Sequence, residues 1–156
     1  MKNVVLALAL LTIPCTALAQ DVSYGRYKGS GGMSAYRIKS NVYEYHYDKG
    51  FTGPDAMGWD PSLQYAWSRI AAAGACGVEI DKDKALASLE TIYPQGKITH
   101  EMIGVGFHSA QIEANPHFCT ESRIEELRQI SRALEDGSFE KPFDQSPAKQ
   151  AGNPHS

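Results

Sequence analysis

The chain has 156 residues, 42% of them hydrophobic, which is enough for one globular domain with a core. Its formal net charge is −3. A slight excess of acidic groups is the opposite of the basic face that nucleic-acid binding needs, so we expect no nucleic-acid partner.

The first residues, MKNVVLALALLTIPCTALAQ, have the pattern of an export leader. Lys2 supplies the positive start, and the apolar run at 4–13 suits a signal peptide but is too short to span a membrane. Small residues before Ala19 predict cleavage after it. We interpret residues 1–19 as a signal peptide and expect export to the bacterial periplasm or outside the cell, without a membrane span. A short N-terminal anchor and a lipid on the leader cysteine are the alternatives.

Residues 20–59 form a segment rich in tyrosine and glycine. In VYEYHY, alternate residues would lie on opposite faces of a strand. The tyrosine face would consist of Tyr43, Tyr45 and Tyr47. Together with the upstream MSAYRIK, the pattern predicts an irregular segment containing a short β-hairpin. Because an isolated hairpin is marginally stable in water, we expect it to pack on helices.

The tyrosine-rich segment is also a predicted contact surface, whether it is packed or loose. If the tyrosines pack inward, Glu44 and His46 point outward and a partner can add a strand to the free edge. If the segment is loose, the tyrosines are exposed anchors. Trp59 either stacks on a sugar or packs the chain onto the first helix. The candidate binding residues are Tyr43, Tyr45, His46, Tyr47 and Trp59.

Residues 60–137 predict a small up-and-down bundle of four helices. Asp60 followed by proline is a helix start, and Gly77 offers a stop. Asp81 can cap the second helix, which ends before the proline and glycine of YPQG. Apolar residues recur at helical spacing in both helices.

The third helix is predicted to begin at Thr99 and to end before Pro116. Ile98 and Ile103 have the spacing of a hydrophobic staple. The glycines of GVGF, which are unfavourable inside a helix, indicate either close helix–helix contact or a helix that begins later than Thr99. The fourth helix runs from a Thr120 cap to a glycine stop at 137. The predicted core of the bundle consists of Leu63, Trp67, Ile70, Leu86, Leu89, Ile103, Phe107, Ile124, Leu127 and Ile130.

Two cysteines, Cys76 and Cys119, remain after the leader is removed. Short connections make successive helices antiparallel, which brings the end of the first helix beside the start of the fourth. An even cysteine count in an exported chain predicts a disulfide between them. Their α-carbons should be about 5–6 Å apart.

The histidines do not form a metal motif. His100 and His108 are eight residues apart, about 12 Å along a helix, so they cannot share an ion. We interpret these two, together with His46 and His117, as solvated side chains, and we expect no metal and no cofactor. No G-x-S-x-G elbow occurs either.

We therefore expect a non-catalytic binding protein, such as an inhibitor, immunity protein, adaptor or chaperone, whose partner is another envelope or secreted protein. The alternative is an envelope hydrolase acting on peptidoglycan or another polymer, with carboxylates or histidines gathered from separate segments. The tail at 138–156 is poor in aliphatic residues and is predicted to be mostly disordered.

Overall fold

The computed structural model describes residues 24–29, 31–52 and 57–143. This part of the chain contains no strand and is mainly helical, which confirms the predicted class. Its elements are α1 (Ser40–Lys49), α2 (Pro61–Ala75), α3 (Lys82–Ile92), a π-helix (Thr99–Val105) that continues directly into α4 (Gly106–Glu113), and α5 (Glu121–Asp136). The predicted signal peptide and the tail after Phe143 lie outside the described residues.

Local capping signals position three of the helix starts. The side chain of Asp60 accepts hydrogen bonds from two backbone N–H groups in the first turn of α2. Asp81 caps α3 and Thr120 caps α5 in the same way. Gly137 ends α5 with a φ of 77°, a left-handed conformation that glycine adopts without steric cost.

The predicted hairpin is wrong, because the tyrosine-rich stretch forms helix α1. Residues four apart lie on the same face of a helix, whereas residues two apart lie on the same face of a strand. Val42, Tyr43, His46 and Tyr47 form one face of α1, and all four are buried. The tyrosine rings pack against Phe118. Contact with the rest of the core therefore outweighs the alternating pattern of the local sequence.

The helices do not pack simply in chain order. α2 packs against α4, α5 and the π-helix, whereas α3 packs mainly against α5. The predicted up-and-down order of four helices is therefore not confirmed. The disulfide is confirmed: Cys76 and Cys119 are bonded, with their α-carbons 5.4 Å apart.

The predicted core is only partly correct. Six of its members are buried, namely Leu63, Trp67, Ile70, Leu86, Leu89 and Leu127. Phe107, Ile124 and Ile130 are half-buried, while Ile103 is 53% exposed. The clearest error falls on the third predicted helix. There the buried positions are His100, Gly104, Val105, His108 and Ile112.

The π-helix explains this error. Its hydrogen bonds join residues five apart, as between the Gly106 N–H and the Glu101 carbonyl. The wider turn places His100 and Gly104 against Trp67 on α2. The Trp67 Nε1–H donates to His100 Nδ1 at 2.9 Å, and His100 Nε2 donates to the Tyr93 carbonyl at 2.9 Å.

Gly104 is expected to be intolerant of a side chain. A methyl group there would overlap the indole ring of Trp67, which is buried and cannot move freely. We expect Gly104→Ala to lower the free energy of unfolding by about 2–3 kcal/mol in urea titrations, as overpacked cores do. Gly74 in α2 is the matched control, since no atom lies near its would-be methyl group. Gly74→Ala should instead stabilise by about 0.5–1 kcal/mol; equal effects would contradict the close contact.

Candidate functional site

The structure brings most of the predicted binding residues into the core. Tyr43, His46 and Tyr47 are buried, so a partner can reach them only if α1 moves. Tyr45 is half-buried, with its ring edge-on to Tyr24 and Tyr27 at 5.2 Å. Trp59 is half-buried and packs edge-on against Trp67, with the ring centroids 5.2 Å apart. A contact role for Tyr45 and Trp59 stays a prediction.

The prediction that the histidine side chains are solvated is wrong for three of them. Of the four histidines in the described residues, His46, His100 and His108 are buried and His117 is exposed. No cluster of three or more potential metal ligands occurs in the part of the chain that the structure describes. No helix there is both long and apolar enough to cross a membrane.

His108 links three elements through a buried hydrogen-bond chain. Its Nε2 lies 2.8 Å from Gln64 Oε1, which can only accept, so Nε2 carries the proton. Nδ1 then accepts from the Tyr43 hydroxyl at 2.8 Å. Burial, with a smaller effect from the positive charge of Arg69, lowers the pKa of His108 to about 3. The imidazole is therefore neutral and structural.

His108 makes stability depend on pH. Between its folded pKa of about 3 and its unfolded pKa near 6.5, the unfolded chain binds the extra proton, so stability falls as the pH falls. The loss is about 1.4 kcal/mol per pH unit, or about 2 kcal/mol at pH 5. Urea unfolding from pH 8 to pH 4.5 should have a shallower pH dependence in His108→Gln than in the wild type. His117→Gln, at an exposed histidine, should leave the wild-type slope unchanged.

Arg123 on α5 joins α1 to the core through a partly buried charge cluster, in which the arginine is buried and its two acidic partners are partly exposed. Its Nη2 donates to Asp48 Oδ2 at 2.8 Å and lies 3.5 Å from Glu44 Oε2. Its Nη1 donates to the Phe118 carbonyl at 2.8 Å. The Tyr24 hydroxyl also donates to Asp48 Oδ2, and burial followed by this bond raises the pKa of Tyr24 to about 12.

Arg69 on α2 forms a second, adjoining cluster. Its Nε and Nη2 donate to Glu126 Oε1 at 3.0 and 2.9 Å. The guanidinium lies between two aromatic rings, 3.7 Å from the centroid of Tyr47 and 3.9 Å from that of Tyr65. The hydrogen-bond donors of the buried Arg69 guanidinium are therefore engaged by groups within the protein.

A cleft of about 270 Å³ opens beside both clusters and is lined in part by Asp48, Arg123 and Glu126. Each of its two carboxylates already accepts hydrogen bonds from an arginine. A second groove of about 450 Å³ runs beside the disulfide and carries charges of both signs, including Arg128 and Glu135. Thr120 and Ser122 also line the cleft, and their hydroxyls are hydrogen-bonded to each other at 3.1 Å.

The most unusual surface feature is an exposed apolar group at the start of the π-helix and within it, which we call the aliphatic patch. It consists of Ile98, Met102 and Ile103, which are 73%, 72% and 53% exposed. Ile98 and Ile103 do not form the predicted staple. They are five residues apart, the hydrogen-bond spacing of a π-helix, so all three side chains share one side.

Comparisons with models of protein families, with curated proteins and with solved structures found no match to this chain.

Proposed function

We propose that this chain is an exported, non-catalytic binding protein of the bacterial envelope that works through protein–protein contact, as an inhibitor, immunity protein, adaptor or chaperone does. The observation that carries the proposal is the aliphatic patch. Single exposed apolar residues are ordinary, but a contiguous group of large ones is typical of an interaction surface. Of the four large hydrophobic side chains that are exposed in the described residues, three belong to this patch.

The scaffold beneath the patch supports this function. The π-helix is anchored from below by the hydrogen bonds from Trp67 to His100 and from His100 to the Tyr93 carbonyl. Gly104 adds close contact with the same indole ring. A surface that is already ordered loses little conformational freedom when a partner binds, which favours affinity.

The residues of the cleft support the alternative function, that of an envelope hydrolase, less well. Its carboxylates would have to act on substrate or water within hydrogen-bond reach. In the cleft, Asp48 is engaged by Arg123 and Tyr24, and Glu126 by Arg69. Both carboxylates of this cleft are thus held in ion pairs with arginines.

Export is part of the proposal. The leader pattern of residues 1–19 and the disulfide both suit an oxidising compartment outside the cytoplasm. Mass spectrometry of the protein from a periplasmic extract should give a chain that begins at Gln20. Recovery of the full-length chain in the cytoplasm with both thiols free would contradict export.

Site-specific photo-crosslinking tests the contact function. A photoreactive amino acid in place of Met102 should give a discrete covalent adduct with one envelope or secreted protein. The same amino acid in place of Gln129, which is exposed on α5, is the control and should give none. Adding Ile98→Ser to the Met102 probe should remove the adduct. No adduct from position 102, or equal adducts from both positions, would count against the proposal.

A further inference from the structure

Acidic side chains dominate the border of the aliphatic patch. Lys97 lies next to the patch, and its Nζ is 2.9 Å from Asp83 Oδ1 and 4.0 Å from Glu101 Oε1. The pKa of Lys97 is raised, first by its hydrogen bond to Asp83 and then by the charges of Asp83, Glu101 and Glu90. Two carboxylates, those of Asp83 and Glu101, therefore lie within 4.0 Å of one ammonium group, and the charge of Glu90 acts on it as well. We call these four residues the acidic rim.

The acidic rim discriminates among the surfaces that could cover the patch. A second copy of the chain in a twofold dimer would bring two identical acidic rims together, and like charges repel. An anionic lipid surface is disfavoured for the same reason. The net charge of −3 adds to the repulsion in both cases. A positively charged partner gains both from burial of the patch and from the charges around it.

The geometry of the patch favours a helical partner. The exposed face is one side of a helix, and the described residues contain no strand whose edge a partner could extend. Helices pack side by side when apolar residues three or four apart project toward each other, as Ile98 and Met102 are spaced. A binding helix with apolar residues on one face and basic residues along its flanks would match both features.

We propose that the aliphatic patch and the acidic rim together bind a basic amphipathic helix of a partner protein. Ile98, Met102 and Ile103 contact its apolar face, while Glu90 and Glu101 attract lysine or arginine on its flanks. This proposal rests on the contact function proposed above and adds the chemistry of the partner.

Two synthetic helical peptides of about 18 residues serve as probes. Both carry leucines along one face; one has lysines on its flanks and the other has glutamates. Fluorescence anisotropy with the disulfide-bonded protein should detect binding of the lysine peptide alone. Raising the salt from about 50 to 300 mM NaCl should weaken this binding several-fold, because salt screens the attraction.

Three variants separate the apolar and charged contributions. Ile98→Ser combined with Met102→Ser leaves the charge unchanged and should weaken binding of the lysine peptide by about tenfold or more. Glu90→Gln combined with Glu101→Gln should weaken it by about threefold and reduce its salt dependence. The control is Glu121→Gln combined with Glu125→Gln, an equal charge change on α5, which should have no effect. Circular dichroism checks that all three variants fold.

Several results would overturn the proposal. These are equal binding of both peptides, no binding of either, or no loss of binding in the serine variant. An unchanged affinity in the Glu90 and Glu101 variant would remove the role of the acidic rim. Sedimentation as a dimer that the serine variant disperses would indicate a second copy, and binding to anionic phospholipid vesicles would indicate a membrane. Crosslinking from position 102 reports separately on the contact function, so the two proposals can fail independently.

Discussion

Replacing Cys76 and Cys119 together by alanine is expected to lower the free energy of unfolding by about 4 kcal/mol. The disulfide closes a loop with a sequence separation of 43 residues, and it restricts the unfolded chain more than the folded one. It ties the end of α2 to the start of α5, and these helices also pack against each other. Differential scanning calorimetry should record a fall in melting temperature of roughly 10 °C or more.

Reduction of the wild-type protein provides the control for this result. Dithiothreitol should lower the wild-type melting temperature by an amount similar to the double substitution. The same reagent should leave the alanine variant unchanged, since it has no disulfide to lose. A variant as stable as the oxidised wild type would show that the loop between Cys76 and Cys119 does not limit the unfolded chain.

Arg123→Met is expected to destabilise the protein by about 3–5 kcal/mol in urea unfolding. Methionine keeps most of the side-chain volume but removes the cation from Asp48 and Glu44, whose side chains are 22% and 16% exposed. Two carboxylates would then lie near one another with little access to solvent. The Phe118 carbonyl would also lose its hydrogen bond to the guanidinium.

Two comparisons show whether unpaired charge is the cause. Adding Glu44→Gln and Asp48→Asn to Arg123→Met should restore part of the lost stability, because removing a whole buried charge cluster costs less than breaking it. Arg128→Met breaks an exposed pair with Glu125 on the same helix and should cost less than about 1 kcal/mol. Equal losses for Arg123→Met and Arg128→Met would contradict the account.

The starts of α2, α3 and α5 and the end of α5 could be predicted because they depend on local chemistry. Asp60, Asp81 and Thr120 each supply a side-chain acceptor for backbone N–H groups that a helix leaves unpaired at its start. Gly137 permits the left-handed turn that ends α5. These effects involve residues within one turn of each other, so sequence spacing is sufficient to identify them.

Helix α1 could not be predicted in the same way. Its sequence alternates as a strand does, and its own first turn carries no side-chain cap. The helix is stabilised by residues distant in sequence: Phe118 and His108 contact Tyr43, and Arg69 donates to the Tyr47 carbonyl. These partners are 22 to 75 residues away, and no local pattern reports them.

The sequence by itself determined the helical class, the starts of α2, α3 and α5 and the cysteine pairing, because the starts follow from local backbone chemistry and only two cysteines remain after the leader. The tertiary structure alone decided which side of the third helical region is buried. Trp67 occupies the space beside Gly104 and binds His100, so polar and small residues face inward. The aliphatic side chains of Ile98, Met102 and Ile103 consequently face solvent, where a partner can reach them. Hydrophobicity predicts the preference of a side chain for burial, but only the packing of the whole chain determines which positions have space in the core.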